Sequence, residues 1–397
     1  SAGWHTESVI MEPDATGQVH TDMPHIEAVK SRLRPNVAVV SVGSGTITDV
    51  AKHACFLYEK ETGHRIPFVV YQTANSVSAY TSNMAPTFID GVKRTLPSRY
   101  PDALICDLET LCDAPREMTV AGVGDLLAAF VSFPDWYLAH RLGLDANYTE
   151  FPQSLMGPLD EIFLAEAESI RAGSPAGMAV LAKLISLGGL AMSLSHATTP
   201  MSGFEHVMSH ILDLLAEQTK RPLAQHGTQV ALASIIGAET YRRFLTKFEP
   251  AEVTPDRCYP SAEVMKERVE KAFASVDPTG KAAAECWADY RIKLEGWHAH
   301  RAEFAAFLKD WPEIRSRVER FARPPERLVE ILRAIEAPLK FAELTPPATE
   351  AQVKYAFLNA SLMRKRLTIG DLLIFFNWDR ETLWREVWRA SETVANE

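Results

Sequence analysis

The sequence predicts an α/β protein with a doubly wound parallel sheet in its N-terminal part and an all-α C-terminal domain. Two observations indicate this fold. Short apolar segments alternate with helical patterns up to about residue 115, and alternating strands and helices are typical of a parallel sheet covered by helices. From about Arg116 onward, apolar residues recur at helical spacing and strand candidates are few.

The N-terminal elements follow from local patterns. The apolar run at 37–42 is typical of a strand buried on both faces, and the helix before it is expected to end ahead of Pro35. We expect strands at 7–11, 37–42, 67–71 and 103–107, with helices at 25–33 and 48–60.

The C-terminal pattern predicts successive helices and a domain boundary near residues 111–118, which divides the chain into 1–115 and 116–397. The most apolar helix carries Lys183, Gly188 and Gly189 and lacks an aromatic belt, which favours a buried core helix over a membrane span. We expect helices at 120–142, 156–171, 176–194, 204–218 and 228–247, and a linker or exposed excursion at 251–275.

Composition restricts the function classes. A chain of 397 residues, 47% hydrophobic and 23% charged, is long enough for two well-buried domains of an ordinary soluble protein. The net charge of -10 argues against nucleic-acid and anionic-membrane partners, which need basic surfaces. Five cysteines without a C-x-x-C pair, and a start without a signal-peptide pattern, favour reduced thiols in the cytoplasm.

A glycine-containing loop, Gly-Ser-Gly-Thr at 43–46, lies between a predicted strand and a predicted helix. Glycine lets a backbone approach a phosphate closely, and helix-start amides attract anions. Thr48 breaks the G-x-G-x-x-G spacing, so a tight strand-to-helix turn explains the loop equally well. Thr-Ala-Asn-Ser at 73–76 follows the next strand, and loops at the carboxyl ends of adjacent parallel strands converge, so these loops and Ser82 suit a nucleotide unless they merely cap turns.

Three further residues suggest a metal site. Asp125 ends Ala-Gly-Val-Gly-Asp, His206 lies in Ser-Gly-Phe-Glu-His-Val-Met-Ser-His, and His226 precedes a glycine. Two imidazoles, one carboxylate and an open fourth position make a catalytic zinc-type site, which can acidify a bound hydroxyl. His210 shares a helix face with His206, although a histidine there is more often a hydrogen-bonded structural residue than a ligand.

Six motifs, in this order, match one known family. They are Val-Gly-Ser-Gly-Thr-Ile-Thr-Asp-Val-Ala-Lys (42–52), Thr-Ala-Asn-Ser (73–76), Ala-Gly-Val-Gly-Asp (121–125), Asp-Trp-Tyr-Leu-Ala-His (135–140), Ser-Gly-Phe-Glu-His-Val-Met-Ser-His (202–210) and His-Gly-Thr-Gln-Val (226–230). With Met-Arg-Lys-Arg-Leu-Thr-Ile-Gly-Asp-Leu-Leu (363–373), the sequence resembles sn-glycerol-1-phosphate dehydrogenases, in the superfamily of glycerol dehydrogenase, iron-type alcohol dehydrogenases and dehydroquinate synthase. The resemblance covers 36–245 and 353–376.

The resemblance implies a dehydroquinate synthase-like fold and an NAD- or NADP-linked, metal-dependent dehydrogenase. It implies that Asp125, His206 and His226 hold one divalent ion, zinc first and nickel or iron as alternatives, and that Asp125 and His210 contact substrate. The residues that it assigns to the dinucleotide are Gly43, Ser44, Gly45, Thr46, Ile47, Thr73, Ala74, Asn75, Ser76 and Ser82.

The chain departs from the family pattern at two points. Ser78 and Ala79 stand where the family has Asp-Gly, whose carboxylate accepts a hydrogen bond from a substrate hydroxyl, so we expect weak use of glycerol 1-phosphate and dihydroxyacetone phosphate. The family's first strand-helix unit, which reads the adenosine ribose, has no counterpart before Ser1. We therefore expect a truncated chain, and NAD and NADP remain equal alternatives.

The expected reaction is reversible hydride transfer to a small polyol or a phosphorylated substrate. A dehydroquinate synthase-like lyase and a non-catalytic binding protein are the alternatives. Lys93, Arg94 and Arg99 are candidates for binding a substrate phosphate, although a solvated surface run is the simpler interpretation. We further expect a cytoplasmic homo-oligomer.

Overall fold

The computed structural model describes Gly3, residues 5–89 and residues 92–397. Three parallel strands form a sheet in the order β1-β2-β5, with Val40 opposite Val69 in the register, and β3 pairs with β4 in an antiparallel hairpin. The strands are β1 (Val39–Gly43), β2 (Phe68–Gln72), β3 (Met84–Ile89), β4 (Val92–Pro97) and β5 (Ala103–Cys106).

Helices account for most of the remaining described chain. All the described strands come before α3 in the sequence, and the elements from α3 onward are helical. The domain boundary near 111–118 remains a prediction. The helices are α1 (Met23–Lys30), α2 (Gly45–Thr62), α3 (Leu108–Cys112), α4 (Arg116–Leu127), α5 (Ala129–Arg141), α6 (Phe151–Met156), α7 (Leu159–Ala165), α8 (Ala167–Arg171), α9 (Pro175–Leu194), α10 (Phe204–Gln218), α11 (His226–Lys247), α12 (Ala262–Ala274), α13 (Lys281–Ala299), α14 (Arg301–Lys309), α15 (Trp311–Phe321), α16 (Pro325–Ala334), α17 (Glu350–Asn359), α18 (Ile369–Phe375) and α19 (Arg380–Asn396).

The sheet is buried on one face only in the described part of the chain. Val39 and Ser41 face the protein interior, where α2 packs, whereas Val40 and Val42 are 58% and 62% exposed on the opposite face. The prediction of a strand buried on both faces at 37–42 was therefore wrong. A continuous apolar run is typical of a strand with both faces buried, but the run does not identify the elements that would cover each face.

Three other expectations need correction. Residues 7–10 are exposed, Met11 is half-buried, and the segment pairs with no described strand, so it is not a strand. The region 251–275 is no linker, because α12 buries Met265, Val269 and Phe273 at i, i+4 and i+8 in the main core. The expected helix at 156–171 is broken twice: Pro158 precedes α7, and Glu166 separates α7 from α8.

The hairpin of β3 and β4 is an element that the expected pattern lacked. Pro86 and Pro97 lie within its two strands and weaken the strand pattern, because proline removes a backbone donor. The sequence has Asp-Gly between the strands, which is a favourable hairpin dipeptide. The hairpin lies over α10 and carries Lys93 towards the centre of the protein.

Helices α4 and α11 cross with their backbones in close approach. A Cβ atom added to Gly124 would lie 2.2 Å from the carbonyl oxygen of Gly227, and one added to Gly227 would lie 1.8 Å from that of Ala121. Only glycine fits at these crossings, because a backbone cannot move aside as a side chain can. The contact therefore fixes the relative position of the two helices.

Two segments are long and apolar enough to cross a membrane by composition alone, Arg116–Arg141 and Pro175–Leu194. In their most apolar windows, 89% and 56% of the residues are buried within the protein. Burial of this kind is what a core helix of a globular protein requires, as the sequence predicted for 176–194.

Gly124→Ala is expected to destabilise the protein by about 1–3 kcal/mol or more, because the new methyl group meets the backbone of Gly227. The clash outweighs the gain of about 1 kcal/mol that alanine normally brings to a helix interior. Urea unfolding of both proteins measures the difference.

Gly296→Ala in α13 is the matched control, since its added Cβ meets only the end of the Leu144 side chain at 2.9 Å. This control is expected to be neutral or slightly stabilising. Equal effects of the two substitutions would show that the α4–α11 contact is not tight.

Candidate functional site

Three helices bring Asp125, His206 and His226 together. Asp125 lies near the end of α4, His206 in the first turn of α10, and His226 is the first residue of α11. One ligand atom from each residue lies within 4.8 Å of the others, and Nε2 of His206 is 3.4 Å from Oδ1 of Asp125. The structure therefore brings together the three residues that the sequence singled out, and their role as metal ligands remains a prediction.

Glu205 orients the imidazole of His206. Its Oε1 accepts a hydrogen bond from Nδ1 of His206 at 2.9 Å, so Nε2 is the nitrogen left for a ligand. Burial alone would lower the pKa of His206, but the carboxylates of Asp125 and Glu205 outweigh burial and raise that pKa to about 9. The two carboxylates thus favour a positive charge at His206.

Ser209 orients the imidazole of His226. Its hydroxyl donates to Oε1 of Gln229 at 2.8 Å and accepts Nδ1–H of His226 at 3.0 Å. Nε2 of His226 is thereby left with its lone pair free. Burial holds the pKa of His226 well below its usual value, so this imidazole is neutral, as a metal ligand must be.

His210 lies beside the cluster, with its ring stacked on His226 at a centroid distance of 5.6 Å. Nη2 of Arg364 donates to Nδ1 of His210 at 3.1 Å, which leaves the ring proton on Nε2. Burial, and then the Arg364 guanidinium, hold the pKa of His210 well below its usual value. His210 is therefore a neutral hydrogen-bond donor.

Asp135 fixes the start of α10, the helix that carries both histidines. Its Oδ2 accepts the backbone N–H of Phe204 at 2.7 Å, and its Oδ1 accepts that of Ile369 at the start of α18. Asp135 comes from α5 and is buried. A carboxylate at a helix N-terminus accepts hydrogen bonds from otherwise unpaired amides and interacts favourably with the positive end of the helix dipole.

The ligand set fits a divalent ion of the zinc type. Tetrahedral ligands about 2.0–2.1 Å from Zn²⁺ lie roughly 3.4 Å from one another. The distance between His206 and Asp125 matches that spacing. Each histidine also has the second hydrogen bond that metal-bound imidazoles almost always make.

Two adjoining cavities meet at this cluster. The smaller, of about 160 Å³, is lined by all three candidate ligands, His210, Ser82 and Lys93. The larger, of about 370 Å³, lies at the N-terminus of α2 and is lined by Ser44, Gly45, Thr46, Ile47 and Ser76. Gly45, Lys93 and His226 line both cavities, so they form one cleft.

The other residues that were expected to contact a dinucleotide make contacts within the protein instead. Asn75 is fully buried. Its Oδ1 accepts a hydrogen bond from the side chain of Gln72, and its Nδ2 donates to the carbonyl of Met178. The carbonyl of Ala74 accepts from Tyr80, and the N–H of Thr73 donates to the carbonyl of Gly43. These contacts hold the 73–76 loop so that Ser76 reaches the larger cavity.

Both loop glycines are required by packing within the protein. A Cβ atom on Gly45 would lie 2.3 Å from Cγ2 of Val77, and one on Gly43 would lie 2.6 Å from Cβ of Ile47. The sequence interpretation, that glycine gives a phosphate access to the backbone, is therefore incomplete. Gly45 lets Val77 pack against the first turn of α2, and Gly43 leaves room for the side chain of Ile47.

The basic residues of the hairpin region are not a solvated surface run, which corrects that expectation. Nζ of Lys93 pairs with Asp213 at 3.3 Å and is directed into the cleft. Arg94 pairs with Glu285 and Asp289, and Arg99 with Asp102. Of these three, Lys93 alone lines the cleft.

Sequence reasoning missed Glu205, Ser209 and Arg364. Glu205 and Ser209 lie within the motif 202–210, so their adjacency to histidines was a usable signal. Arg364 is 154 residues from His210 in the sequence, and only the fold brings it there.

Several curated proteins are similar to this chain in sequence. The family described as iron-containing alcohol dehydrogenase matches residues 6–115. Glycerol-1-phosphate dehydrogenase (NAD(P)+) of Bacillus subtilis is 29% identical over 284 residues, which are 71% of this chain and 68% of the relative. The protein of the same name from Pyrococcus horikoshii is 32% identical over 242 residues, 60% of this chain and 67% of the relative. Other relatives of this name match over as little as 49% of their length.

Solved structures support the fold. A probable glycerol dehydrogenase from Sinorhizobium meliloti has a TM-score of 0.51 at 17% identity, over 92% of this chain and 83% of that one. The likeness shows that an N-terminal parallel sheet followed by helices is the shared architecture.

Gly45→Ala is expected to destabilise the ligand-free protein by about 1–3 kcal/mol, because β-branched Val77 has little freedom to move away from the new methyl group. In a Val77→Ala background the same substitution is expected to cost almost nothing. Thermal unfolding of the four proteins of this double-mutant cycle measures the coupling. If Gly45→Ala alone were as stable as the wild-type protein, packing against Val77 would not require glycine, and ligand access would be its one remaining role.

Proposed function

The chain belongs to the sn-glycerol-1-phosphate dehydrogenase family, and we propose that it is a metal-dependent, NAD(P)-linked dehydrogenase. Its reaction is reversible hydride transfer between nicotinamide and a small polyol or keto-phosphate. The observation that carries this proposal is the convergence of Asp125, His206 and His226, whose ligand atoms lie within 4.8 Å of one another. Asp125 and His206 are buried and His226 is half-buried, so the cluster holds titratable groups largely away from water, which is costly unless a partner compensates them.

Asp125, His206 and His226 would hold the ion, with zinc as the first candidate and nickel or iron as alternatives. When bound, the ion supplies a Lewis acid for the reacting oxygen, and the nicotinamide donates or accepts the hydride. The chain's own part is to present Nε2 of each imidazole through the contacts of Glu205 and Ser209.

The cofactor is proposed to occupy the larger cavity. Its wall includes Ser44, Thr46, Ile47 and Ser76. The side chain of Ser44 does not cap the start of α2 in the described structure, and amides at a helix start are donors suited to a pyrophosphate. Four further residues would hold this wall in place through contacts within the protein: Gly43, Thr73, Ala74 and Asn75. Ser82 lies in the smaller cavity and would contact the nicotinamide end or the substrate.

The substrate is proposed to occupy the smaller cavity, whose volume of about 160 Å³ suits a small molecule. Nε2–H of His210 would donate to a substrate oxygen, because Arg364 holds the opposite nitrogen. Lys93 supplies the positive charge that a phosphate would need.

The two alternatives receive less support. A dehydroquinate synthase-like lyase needs several basic groups, whereas Lys93 is the single lysine or arginine among the described residues lining the cleft. A non-catalytic protein has no need for two oriented imidazoles. A cytoplasmic location and a homo-oligomer remain predictions.

His226→Ala is expected to remove the bound metal and nearly all turnover, because two remaining ligands hold an ion weakly. Metal content after dialysis and oxidoreduction of the nicotinamide cofactor are the measurements. His64→Ala, at an exposed histidine outside the cleft, is the control and is expected to keep both. Full turnover by metal-free His226→Ala protein would contradict the site assignment.

Dihydroxyacetone phosphate is expected to be a weak substrate, because Ser78 offers no carboxylate to a substrate hydroxyl. Loss of a hydrogen bond to a charged group costs about 1.5–3 kcal/mol, or roughly ten- to a hundredfold in kcat/KM. Measuring kcat/KM for a panel of ketones and keto-phosphates, with NADH and with NADPH, ranks the substrates. Dihydroxyacetone phosphate as the best substrate on the panel would contradict this expectation.

A further inference from the structure

The carboxylate of Asp125 has its two oxygens in different environments. Oδ2 accepts two hydrogen bonds from Ser78, one from the backbone N–H at 3.0 Å and one from the hydroxyl at 2.9 Å. Oδ1 lies 3.4 Å from Nε2 of His206 and faces the candidate ion site. One oxygen is thus engaged by the protein and the other is left for the ion.

We propose that Ser78 is a positioning residue, which holds Asp125 so that it binds the ion through Oδ1 alone. This inference rests on the proposed metal-dependent function. A carboxylate free to rotate could bind an ion through either oxygen or through both. Two donors on Oδ2 restrict that rotation and reduce the electron density that Oδ2 offers, so the ion is held by one carboxylate oxygen and two nitrogens, with a fourth position open.

The position of Ser78 is itself fixed from two sides. The carbonyl of Ala79 accepts a hydrogen bond from Nζ of Lys52 at 3.0 Å, and Lys52 pairs with Asp49 at 2.7 Å within α2. Lys52 is completely buried. This buried ion pair ties the Ser78 turn to the helix that borders both cavities.

On the other side the turn lies against α9. A Cβ atom on Gly189 would lie 2.7 Å from the carbonyl oxygen of Ser78, and one on Gly188 would lie 3.5 Å from Cβ of Ser78. The hydroxyl is therefore delivered by rigid elements, and it is not a mobile group at the cavity surface. Such a hydroxyl acts on the ligand's orientation with little loss of entropy.

The test is the affinity of the metal-stripped protein for Zn²⁺, measured by competition with a chromophoric chelator. Ser78→Ala removes one of the two donors and is expected to weaken binding by about 10- to 100-fold, the effect typical of a lost contact behind a metal ligand. Ser234→Ala is the matched control, since it removes a buried serine hydroxyl whose one hydrogen bond among the described residues is to the carbonyl of Val230. It is expected to bind zinc as tightly as the wild-type protein.

Wild-type affinity in folded Ser78→Ala would overturn the role of Ser78 while leaving the proposed function intact. A wild-type protein that binds no zinc, nickel or iron would instead contradict the proposed function itself. If Ser78→Ala does not fold, the zinc-loaded wild-type structure decides. One Asp125 oxygen on the ion, with the other still bonded to Ser78, supports the inference, and two oxygens on the ion overturn it.

Discussion

Gly124 and Gly227 allow the backbones of α4 and α11 to touch, and the candidate site depends on that contact. Each glycine is next in sequence to a candidate ligand, Asp125 on α4 and His226 on α11. Because the main chains meet at this crossing, the two ligands have a fixed separation before any ion is present. Such preorganisation matters, since errors of about 0.5 Å in a metal or catalytic site reduce its function.

The third ligand reaches the same point through a network of buried carboxylates. Asp135 satisfies the first amides of α10 and α18, and Glu205 satisfies the N–H of Gly203 as well as Nδ1 of His206. Burying these acids is costly unless each is hydrogen-bonded, and removing one partner leaves a charge without compensation. A helix start favours acidic groups electrostatically, and the same buried acids that satisfy its amides also hold the ligand histidine in place.

Much of the site could be predicted from local motifs, because the residues that form it lie in short ordered segments. Asp125, His206 and His226 were identified in this way. The role of Gly45 was not, because a glycine needed for contact with Val77 has the same sequence signature as one needed for a phosphate. The exposure of Val40 and the contact of Arg364 with His210 depend on tertiary packing, which no local period records. The hairpin that carries Lys93 was obscured by prolines at positions where strands seldom contain them.

The most direct test of the metal centre is the anomalous scattering of crystals soaked in Zn²⁺, measured on both sides of the zinc absorption edge. We expect one strong peak at the crossing of α4, α10 and α11, about 2.0–2.2 Å from Asp125 and from Nε2 of His206 and of His226. A fully soaked crystal with no peak within bonding distance of these three side chains, or with its only peak on surface residues, would contradict the account.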